Sequence, residues 1–215
     1  MEHKSKRYFI IIGLLTLVII ILVFLNVEKQ ISSAPQEILE ECNTLNFNDE
    51  NGINLVFFSP EESAKEYSEY LINAEPFNEY SNSFNFFYID SHKPKCELYK
   101  GVAIYCHSRD LIKKAASCPY DYVVVLDEMD REIRSSAYQN VMSINSNHPK
   151  SVFLHEFGHA FANLAEEYTP ARIPRGSENC QKGCDKFGEE SDGCFKECSN
   201  PGHYRSIENG VMRTL

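Results

Sequence analysis

The sequence predicts one α/β domain, a mixed sheet packed on helices, behind an apolar N-terminal segment. Apolar and aromatic runs with strand character alternate with amphipathic helical stretches, an order typical of a sheet that packs on helices. The chain of 215 residues is long enough for one good core and too short for several large domains. Its hydrophobic content of 43% is that of a folded chain rather than a disordered one.

The N-terminal segment, residues 8–27, carries no charged side chain and predicts a membrane anchor. About 20 residues at about 1.5 Å each span about 30 Å, the hydrocarbon thickness of a bilayer. The apolar core of a cleavable signal peptide is shorter, about 7–15 residues, so we expect the anchor to stay uncleaved. Lys4, Lys6 and Arg7 precede the run, and positive residues stay on the cytoplasmic side. We therefore expect a single-pass cell-membrane protein with residues 1–7 in the cytoplasm and the C-terminal domain outside it.

The first predicted elements after the anchor follow from turn and cap signals. Residues 28–50 are polar and predict a stalk, which ends near the Asn-Gly turn that opens a domain at residues 51–215. The apolar run 53–58 is bounded by turn residues and predicts a buried strand. A helix is expected next, with Ser59 as its cap and a proline and two glutamates in its first turn. The aromatic run 84–90 predicts a second strand.

The middle of the chain predicts a hairpin, a short helix and two more strands. Residues 96–106 form a hairpin around Lys-Gly, which would bring the cysteines at its two ends together. A short helix follows at about 109–117. The β-branched run 120–126 is the strongest strand in the chain, and 138–144 is expected to be a weaker edge strand.

Charge and cysteine content limit the partners and the compartment. The net charge is −10, which argues against nucleic acid as a partner. Outside the cytoplasm, eight cysteines indicate disulfides before they indicate metal ligands. Four of them lie in an insertion at about residues 177–200: Cys180, Cys184, Cys194 and Cys198.

The spacing inside this insertion allows two interpretations. Each pair of cysteines is four residues apart, which suits two short antiparallel helices that join the first cysteine to the last and the second to the third. A four-cysteine structural zinc site is the alternative. The expected location favours disulfides, and Cys42 and Cys118 would then be left as a long-range pair.

The segment "SVFLHEFGHAFANLAEEY", residues 151–168, predicts a core helix. Ser151 is a favourable N-cap, and Phe153, Phe157 and Phe161 recur at helical spacing to form one apolar stripe. Gly158 removes a side chain where the helix is expected to press on a strand.

A different face of this helix carries the candidate site. His155 and His159 are four residues apart, so both imidazoles can reach one metal ion. Glu156 follows the first histidine, which completes the H-E-x-x-H pattern of zinc peptidases, with the glutamate as general base. The alternative is a surface helix with two solvated histidines.

A catalytic zinc ion takes three protein ligands, and Glu166 is the first candidate for the third. Its angle on the helical wheel is suitable, but a straight helix would carry it about 10 Å beyond His159. The chain must therefore turn back, and Asn163 is the expected place because asparagine tolerates the left-handed conformation. Glu167 is the second candidate, and a solvated acidic loop is the alternative.

The segment "HEFGHAFANLAEEY" resembles the active-site segment of the IgA peptidase family of zinc metallopeptidases, which are zincins related to the metzincins. The family has a similar H-E-x-G-H run, followed by a glycine and Leu-Ala-Asp-Glu-Tyr. Flanking features are similar in order: "INLVFFSPEES", "EPFNEYSNSFNFFYI" and "YDYVVVL". "YRSIENGVMRTL" resembles the segment with the family's Met-turn, Met212 being the turn methionine. The resemblance covers roughly residues 51–215.

This resemblance implies a zincin-like domain in which His155 and His159 bind zinc and Glu156 is the catalytic base. Glu166 stands where the family has aspartate, and Asn163 where it has glycine. The chain stops three residues after Met212, whereas related folds continue into a helix.

The expected function is that of a membrane-anchored zinc endopeptidase acting on protein or peptide substrates outside the cytoplasm. The substrate would lie extended along the edge strand 138–144, and Tyr168 or Tyr204 would donate to the oxyanion. Nothing in the sequence indicates recognition of immunoglobulin. A non-enzymatic extracellular binding module that keeps the zincin fold, and a zinc hydrolase of non-peptide amides, are the alternatives.

Overall fold

The computed structural model describes residues 16–22, 40–188 and 192–213. Residues 16–22 are helical and exposed, whereas the rest of the predicted anchor, the cytoplasmic tail and residues 28–39 of the stalk lie outside the described residues. In the part of the chain that is described, no helix combines the length and apolarity needed to cross a membrane.

The body of the protein is a mixed α/β domain, as predicted. Its central sheet has six strands in the order β1-β3-β2-β6-β8-β7. The inner strands run parallel, while β1 at one edge and β7 at the other run antiparallel to their neighbours. The strands are β1 Asn43–Asn46, β2 Ile53–Phe58, β3 Phe84–Ile89, β4 Glu97–Tyr99, β5 Ala103–Tyr105, β6 Tyr122–Asp127, β7 Ser136–Tyr138, β8 Val141–Asn145, β9 Phe195–Cys198 and β10 Asn200–Arg205; the helices are α1 Glu61–Ile72, α2 Arg109–Ala115 and α3 Ser151–Ala162, with 3₁₀ turns at Phe77–Ser83 and Cys184–Lys186.

Helices cover both faces of the sheet. In β2, Leu55 and Phe57 point to the face that α1 and α3 cover, and Val56 and Phe58 point to the face that α2 covers. All four side chains are at most 2% exposed, which explains why this strand is a continuous apolar run.

The α3 helix begins one position earlier than a Ser151 cap would require. Ser151 is already the first helical residue, and Lys150 at the cap position has helical backbone angles. The first amides donate to a preceding turn: Val152 N to Pro149 O at 3.0 Å, and Phe153 N to Lys150 O at 2.9 Å. The predicted cap is therefore wrong, because the preceding turn already accepts the donors that a serine hydroxyl would have satisfied.

The prediction of one edge strand at 138–144 is wrong in two respects: the stretch is a hairpin of two strands, and the strand that fills most of it, Val141–Asn145, is not at the edge. The chain reverses between Tyr138 and Val141, with Gln139 at φ 54°, and β7 and β8 pair antiparallel. The β8 strand is buried along its whole length and pairs with β6 on its other side. The open edge near α3 is consequently β7.

The sheet begins inside the stretch expected to be stalk. The β1 strand pairs with β3. Cys42, just before β1, forms a disulfide with Cys118, just before β6. A covalent link and backbone pairing thus hold residues 42–46 against the domain.

All eight cysteines form disulfides, with the four pairings that the sequence favoured. The pairs are Cys42–Cys118, Cys96–Cys106, Cys180–Cys198 and Cys184–Cys194. The two helices predicted for the insertion are wrong: its described residues form a 3₁₀ turn and the β9–β10 pair. Strand pairing satisfies its backbone groups, and Gln181 and Tyr204 exchange two further backbone hydrogen bonds at 3.0 and 2.7 Å.

Candidate metal centre

Three side chains converge at the C-terminal half of α3. His155 Nε2 lies 3.2 Å from His159 Nε2, and the Glu166 carboxylate lies 3.1 Å from the first and 3.3 Å from the second. Together they form a group that could hold a metal ion. His155 is 1% exposed, and the side chains of His159 and Glu166 are each 22% exposed. The group is therefore partly sheltered yet open on one side.

The Nδ1 atom of each imidazole determines whether the Nε2 atom carries a hydrogen or a lone pair. His155 Nδ1 lies 2.9 Å from the carbonyl oxygen of Val211, and His159 Nδ1 lies 2.7 Å from that of Leu164. A carbonyl oxygen only accepts, so each Nδ1 carries the hydrogen and each neutral Nε2 keeps its lone pair. Two lone pairs and a carboxylate thus face one point without a donor among them.

The buried Oε2 atom of Glu166 also lacks a hydrogen-bond donor. Among the described residues, Glu166 Oε2 is buried and has no hydrogen-bond partner. Its 3.1 Å approach to His155 Nε2 is not a hydrogen bond while that nitrogen keeps its lone pair. A cation between the three side chains, either a metal ion or protons on the imidazoles, would give the lone pairs and the carboxylate a positive partner.

The pKa values follow from this arrangement. Burial lowers the pKa of His155 and His159, but the facing Glu166 carboxylate outweighs burial, so both values are raised. Burial raises the pKa of Glu166, yet the two imidazoles together bring it down to about 2. The centre is thus strongly favourable to positive charge.

The distances also suit a tetrahedral ion. With bonds of about 2.0–2.1 Å, the ligand atoms of tetrahedral zinc lie about 3.3 Å apart. In the triangle formed by the side chains of His155, His159 and Glu166, the two Nε2 atoms lie 3.2 Å apart. The two carboxylate distances are made by different oxygens, Oε2 at 3.1 Å from His155 Nε2 and Oε1 at 3.3 Å from His159 Nε2. The separation of the two imidazole nitrogens is therefore close to that expected for zinc, and one ligand atom from each of the three side chains lies within 4.8 Å of the others.

The chain reverses direction at Asn163, as predicted. This residue ends α3 with φ 51° and ψ 35°, the left-handed conformation, and Leu164 N donates to Gly158 O at 3.2 Å. The reversal returns Glu166 to the level of the two histidines.

The disulfide-rich insertion holds the returning segment. Asn179 accepts from Ala165 N at 2.8 Å and donates to Ala165 O at 2.9 Å. Ser199 Oγ donates to Glu166 O at 2.6 Å. Asn179 precedes Cys180 and Ser199 follows Cys198, so the Cys180–Cys198 disulfide joins the two residues that hold this segment.

Glu167, the second candidate ligand, is not part of the group that His155, His159 and Glu166 form. Its carboxylate accepts from Asn179 Nδ2 at 3.1 Å and packs on Gly210, where an added methyl carbon would lie 3.3 Å from Oε2. The side chain is 4% exposed, and burial raises its pKa. Of the two adjacent acids, only Glu166 faces the imidazoles.

Glu156 lies beside the triangle and faces the edge strand. It is 4% exposed, and burial raises its pKa to about 7. A backbone hydrogen bond from Ala137 of β7 opposes this shift. Glu156 therefore sits between the histidines and β7.

A cleft of about 580 Å³ runs between α3 and β7 and contains the triangle and Glu156. Tyr168 also lines it; burial and the nearby Glu166 raise its pKa to about 12, so its hydroxyl stays protonated as a donor. Tyr204, the other predicted donor, lies in β10 beside Gln181 and is not part of the cleft lining.

Met212 packs directly beneath the helix that carries the histidines. A methyl carbon added at Gly158 would lie 2.7 Å from Met212 Sδ, so this glycine makes room for the methionine. The sequence had suggested that it makes room for a strand, and that prediction is wrong. Glu167 N donates to Met212 O at 2.8 Å, and Val211 O accepts from His155. The turn at 211–213 is thus tied to both sides of the centre.

Sequence reasoning missed the groups that orient the ligands. The carbonyls of Val211 and Leu164, and the side chains of Asn179 and Ser199, make these contacts. Leu164 is the one residue that a helix-reversal argument could have found, since the reversal brings its carbonyl back to His159. The others have no local signal, because their contacts join distant parts of the chain.

The comparisons with known proteins add nothing to this geometry. The chain matches no protein-family model, and a search of curated proteins finds no significant match.

Proposed function

We propose that this protein is a zinc-dependent endopeptidase of the zincin type, related to the IgA peptidase family. One observation carries the proposal: His155, His159 and Glu166 converge on one point, with Glu156 beside them in a cleft along an edge strand. The reversal at Asn163 and the packing of Met212 beneath α3 support the zincin assignment.

The ligand types favour zinc over other common ions. Two imidazoles and one carboxylate are typical of catalytic zinc, whereas calcium and magnesium prefer oxygen ligands alone. With three protein ligands, zinc would keep one coordination position for water or substrate, and the cleft gives access to the three side chains. Zinc bound there would lower the pKa of a coordinated water to about 7 and polarise the scissile carbonyl.

In the proposed mechanism, Glu156 takes a proton from the attacking water and later delivers it to the leaving amine. Its burial between α3 and β7 keeps bulk water from competing for that proton. Tyr168, held protonated, donates to the oxyanion that forms at the scissile carbonyl.

The substrate is proposed to lie along β7. In this hairpin the pairs on either side of Ala137 are hydrogen-bonded to β8, so the backbone groups of Ala137 point to the open edge. The Ala137 N–H donates to Glu156 there, and the Ala137 carbonyl oxygen is the acceptor offered to a peptide. An extended peptide can add to that edge by main-chain hydrogen bonds, next to Glu156.

The location outside the cytoplasm, behind an N-terminal anchor, remains part of the proposal. The four disulfides support it, because such bonds persist in oxidising compartments.

The test uses full-length protein purified in detergent, with metal content measured and cleavage of a broad peptide library followed by mass spectrometry. We expect one zinc ion per chain and a fall in kcat of about 100-fold or more in Glu156→Gln, with zinc retained. Zinc with no cleavage of any peptide would favour the non-enzymatic binding module. Equal cleavage by Glu156→Gln would remove the general-base assignment.

A further inference from the structure

The β4–β5 hairpin extends the wall of the cleft beyond β7. Ile104 N donates to Arg134 O at 2.9 Å, and Arg134 N donates to Val102 O at 3.0 Å. Ser136 Oγ also donates to Ile104 O. The hairpin, whose ends the Cys96–Cys106 disulfide joins, is thereby held against the chain that leads into the edge strand.

One face of this hairpin is continuous with the cleft. Tyr99 pairs with Ala103, and Glu97 pairs with Tyr105. Residues directly opposite each other share a face, and so do residues two apart, so Tyr99, Ala103 and Tyr105 point to the same side. Ala103 lines the cleft, which places the two tyrosines at its margin.

Aromatic rings gather at this margin. The rings of Tyr105 and Tyr138 lie 5.6 Å apart, and His107 lies 5.1 Å from Tyr138. We call Tyr99, Tyr105, His107 and Tyr138 the aromatic shelf. Tyr138 belongs to β7 and lines the cleft itself, so the shelf begins at the edge strand on which the substrate is proposed to lie.

The shelf is exposed rather than part of the core. Tyr99 is 57% exposed and Tyr138 is 47% exposed. Ala103, which lies opposite Tyr99 and two residues before Tyr105, contributes only a methyl group to the cleft lining. Aromatic side chains contribute most to binding free energy when their rings are buried, so the exposed rings of Tyr99 and Tyr138 are suited to contact with a ligand side chain.

We propose that the aromatic shelf binds an aromatic or large aliphatic side chain of the peptide substrate. This inference rests on the proposed function, since it takes a peptide as ligand, and it adds a preference that the metal centre alone does not impose. A peptide on β7 turns alternate side chains to opposite sides, so one residue near the scissile bond reaches the shelf.

The first experiment compares cleavage profiles of full-length protein in detergent: wild type, Tyr138→Ser, Tyr99→Ser and a control, Tyr80→Ser. Tyr80 is 59% exposed and lies on the 3₁₀ turn Phe77–Ser83, outside the cleft lining. We expect wild type to prefer Phe, Tyr or Leu over Ala at one fixed position. Each shelf variant should lower that preference by about fivefold, with zinc content unchanged, while the control keeps it. A wild-type profile without preference, or one that both shelf variants retain, overturns the proposal.

The second experiment separates this inference from the proposed function. Glu156→Gln protein is titrated with fluorescein-labelled heptapeptides that carry Phe or Ala at the centre, and binding is followed by fluorescence anisotropy. Tighter binding of the Phe peptide, lost on adding Tyr138→Ser but not Tyr80→Ser, supports the shelf even if wild type cleaves nothing. Equal affinity for the two peptides overturns it even if wild type is an active peptidase.

Discussion

At the residue scale, two neighbouring glutamates have opposite environments. Glu166 faces two imidazoles that bring its pKa down to about 2, whereas burial raises the pKa of Glu167, which is held by Asn179. Their side chains leave the same short segment in different directions. Identical chemistry at adjacent positions therefore allows a matched comparison.

Replacing Glu166 by glutamine should weaken zinc binding by more than about 100-fold. The basis is that even residues that only orient a metal ligand change affinity by about 10–100-fold, and Glu166 is proposed to be a ligand itself. Competition with a chromophoric chelator measures the affinity. Glu167→Gln is the control and should change zinc affinity by less than about threefold, because the Glu167 carboxylate is held by Asn179 and is not part of the proposed ligand group. A larger effect at Glu167 than at Glu166 would exchange their assignments.

Replacing Gly158 by alanine should destabilise the fold by about 1 kcal/mol. In an ordinary helix this change stabilises by up to about 1 kcal/mol, but here the new methyl carbon would lie 2.7 Å from Met212 Sδ, and overpacking costs about 1–3 kcal/mol. Urea unfolding measures the difference. At Gly202 an added methyl meets no described atom within 4 Å, so Gly202→Ala should stay within about 0.5 kcal/mol. Stabilisation by Gly158→Ala would show that Met212 does not press on the helix.

At the scale of elements, the insertion holds the ligand segment, by which we mean residues 164–167 with the proposed ligand Glu166. The Cys180–Cys198 disulfide links Asn179 and Ser199, which together hold Ala165 and Glu166. The Cys184–Cys194 disulfide lies further out in the same insertion, and no hydrogen bond among the described residues joins it to the ligand segment. The two disulfides therefore differ in their distance from the ligand segment, so their removal separates its support from the general stability of the insertion.

Removing Cys180–Cys198 by double serine substitution should lower zinc affinity by about tenfold, because Glu166, the proposed third ligand, loses its support. Removing Cys184–Cys194 should leave the affinity unchanged. Each change is expected to lower stability by about 2–4 kcal/mol, so thermal unfolding serves as the common reference and isothermal calorimetry gives the affinity. Equal losses of affinity in the two variants would show that the insertion acts only through general stability.

At the scale of the whole molecule, the centre joins three parts of the fold, of which the C-terminal turn is distant in sequence from the other two. The histidines belong to α3, Glu166 to the segment held by the insertion, and Val211 and Met212 to the C-terminal turn. A metal ion bound there links all three. Metal binding is therefore expected to stabilise the domain as a unit.

Zinc at 1,000 times its dissociation constant should stabilise the domain by about 4 kcal/mol and raise Tm by about 8–16 °C. Differential scanning calorimetry of full-length protein, with and without a chelator, measures the shift. The chelated form should still unfold cooperatively, since four disulfides and the sheet do not involve the metal. The same Tm with and without zinc would contradict binding at a site that joins these regions. His155→Ala is the control and should lose the shift.

Local geometry explains which features the sequence alone determined. The four-residue spacing of His155 and His159 puts both on one helical face, and a wheel argument requires a reversal near Asn163 if Glu166 is to reach them. The strand positions and the Cys96–Cys106 pairing across one hairpin follow from patterns of similarly short range. These features depend on the backbone of one element or on one loop, so the residues that specify them are close together in the sequence.

Only the tertiary structure decided the features that depend on distant contacts. Asn179 of the insertion holds Glu167, so Glu166 alone faces the imidazoles. Pairing with β6 buries the stretch predicted as edge strand and leaves β7 at the edge. Strand pairing replaced the helices expected in the insertion, although the disulfides were the favoured ones. In each case several local arrangements suit the same residues, and the one that forms is selected by partners far away in the chain.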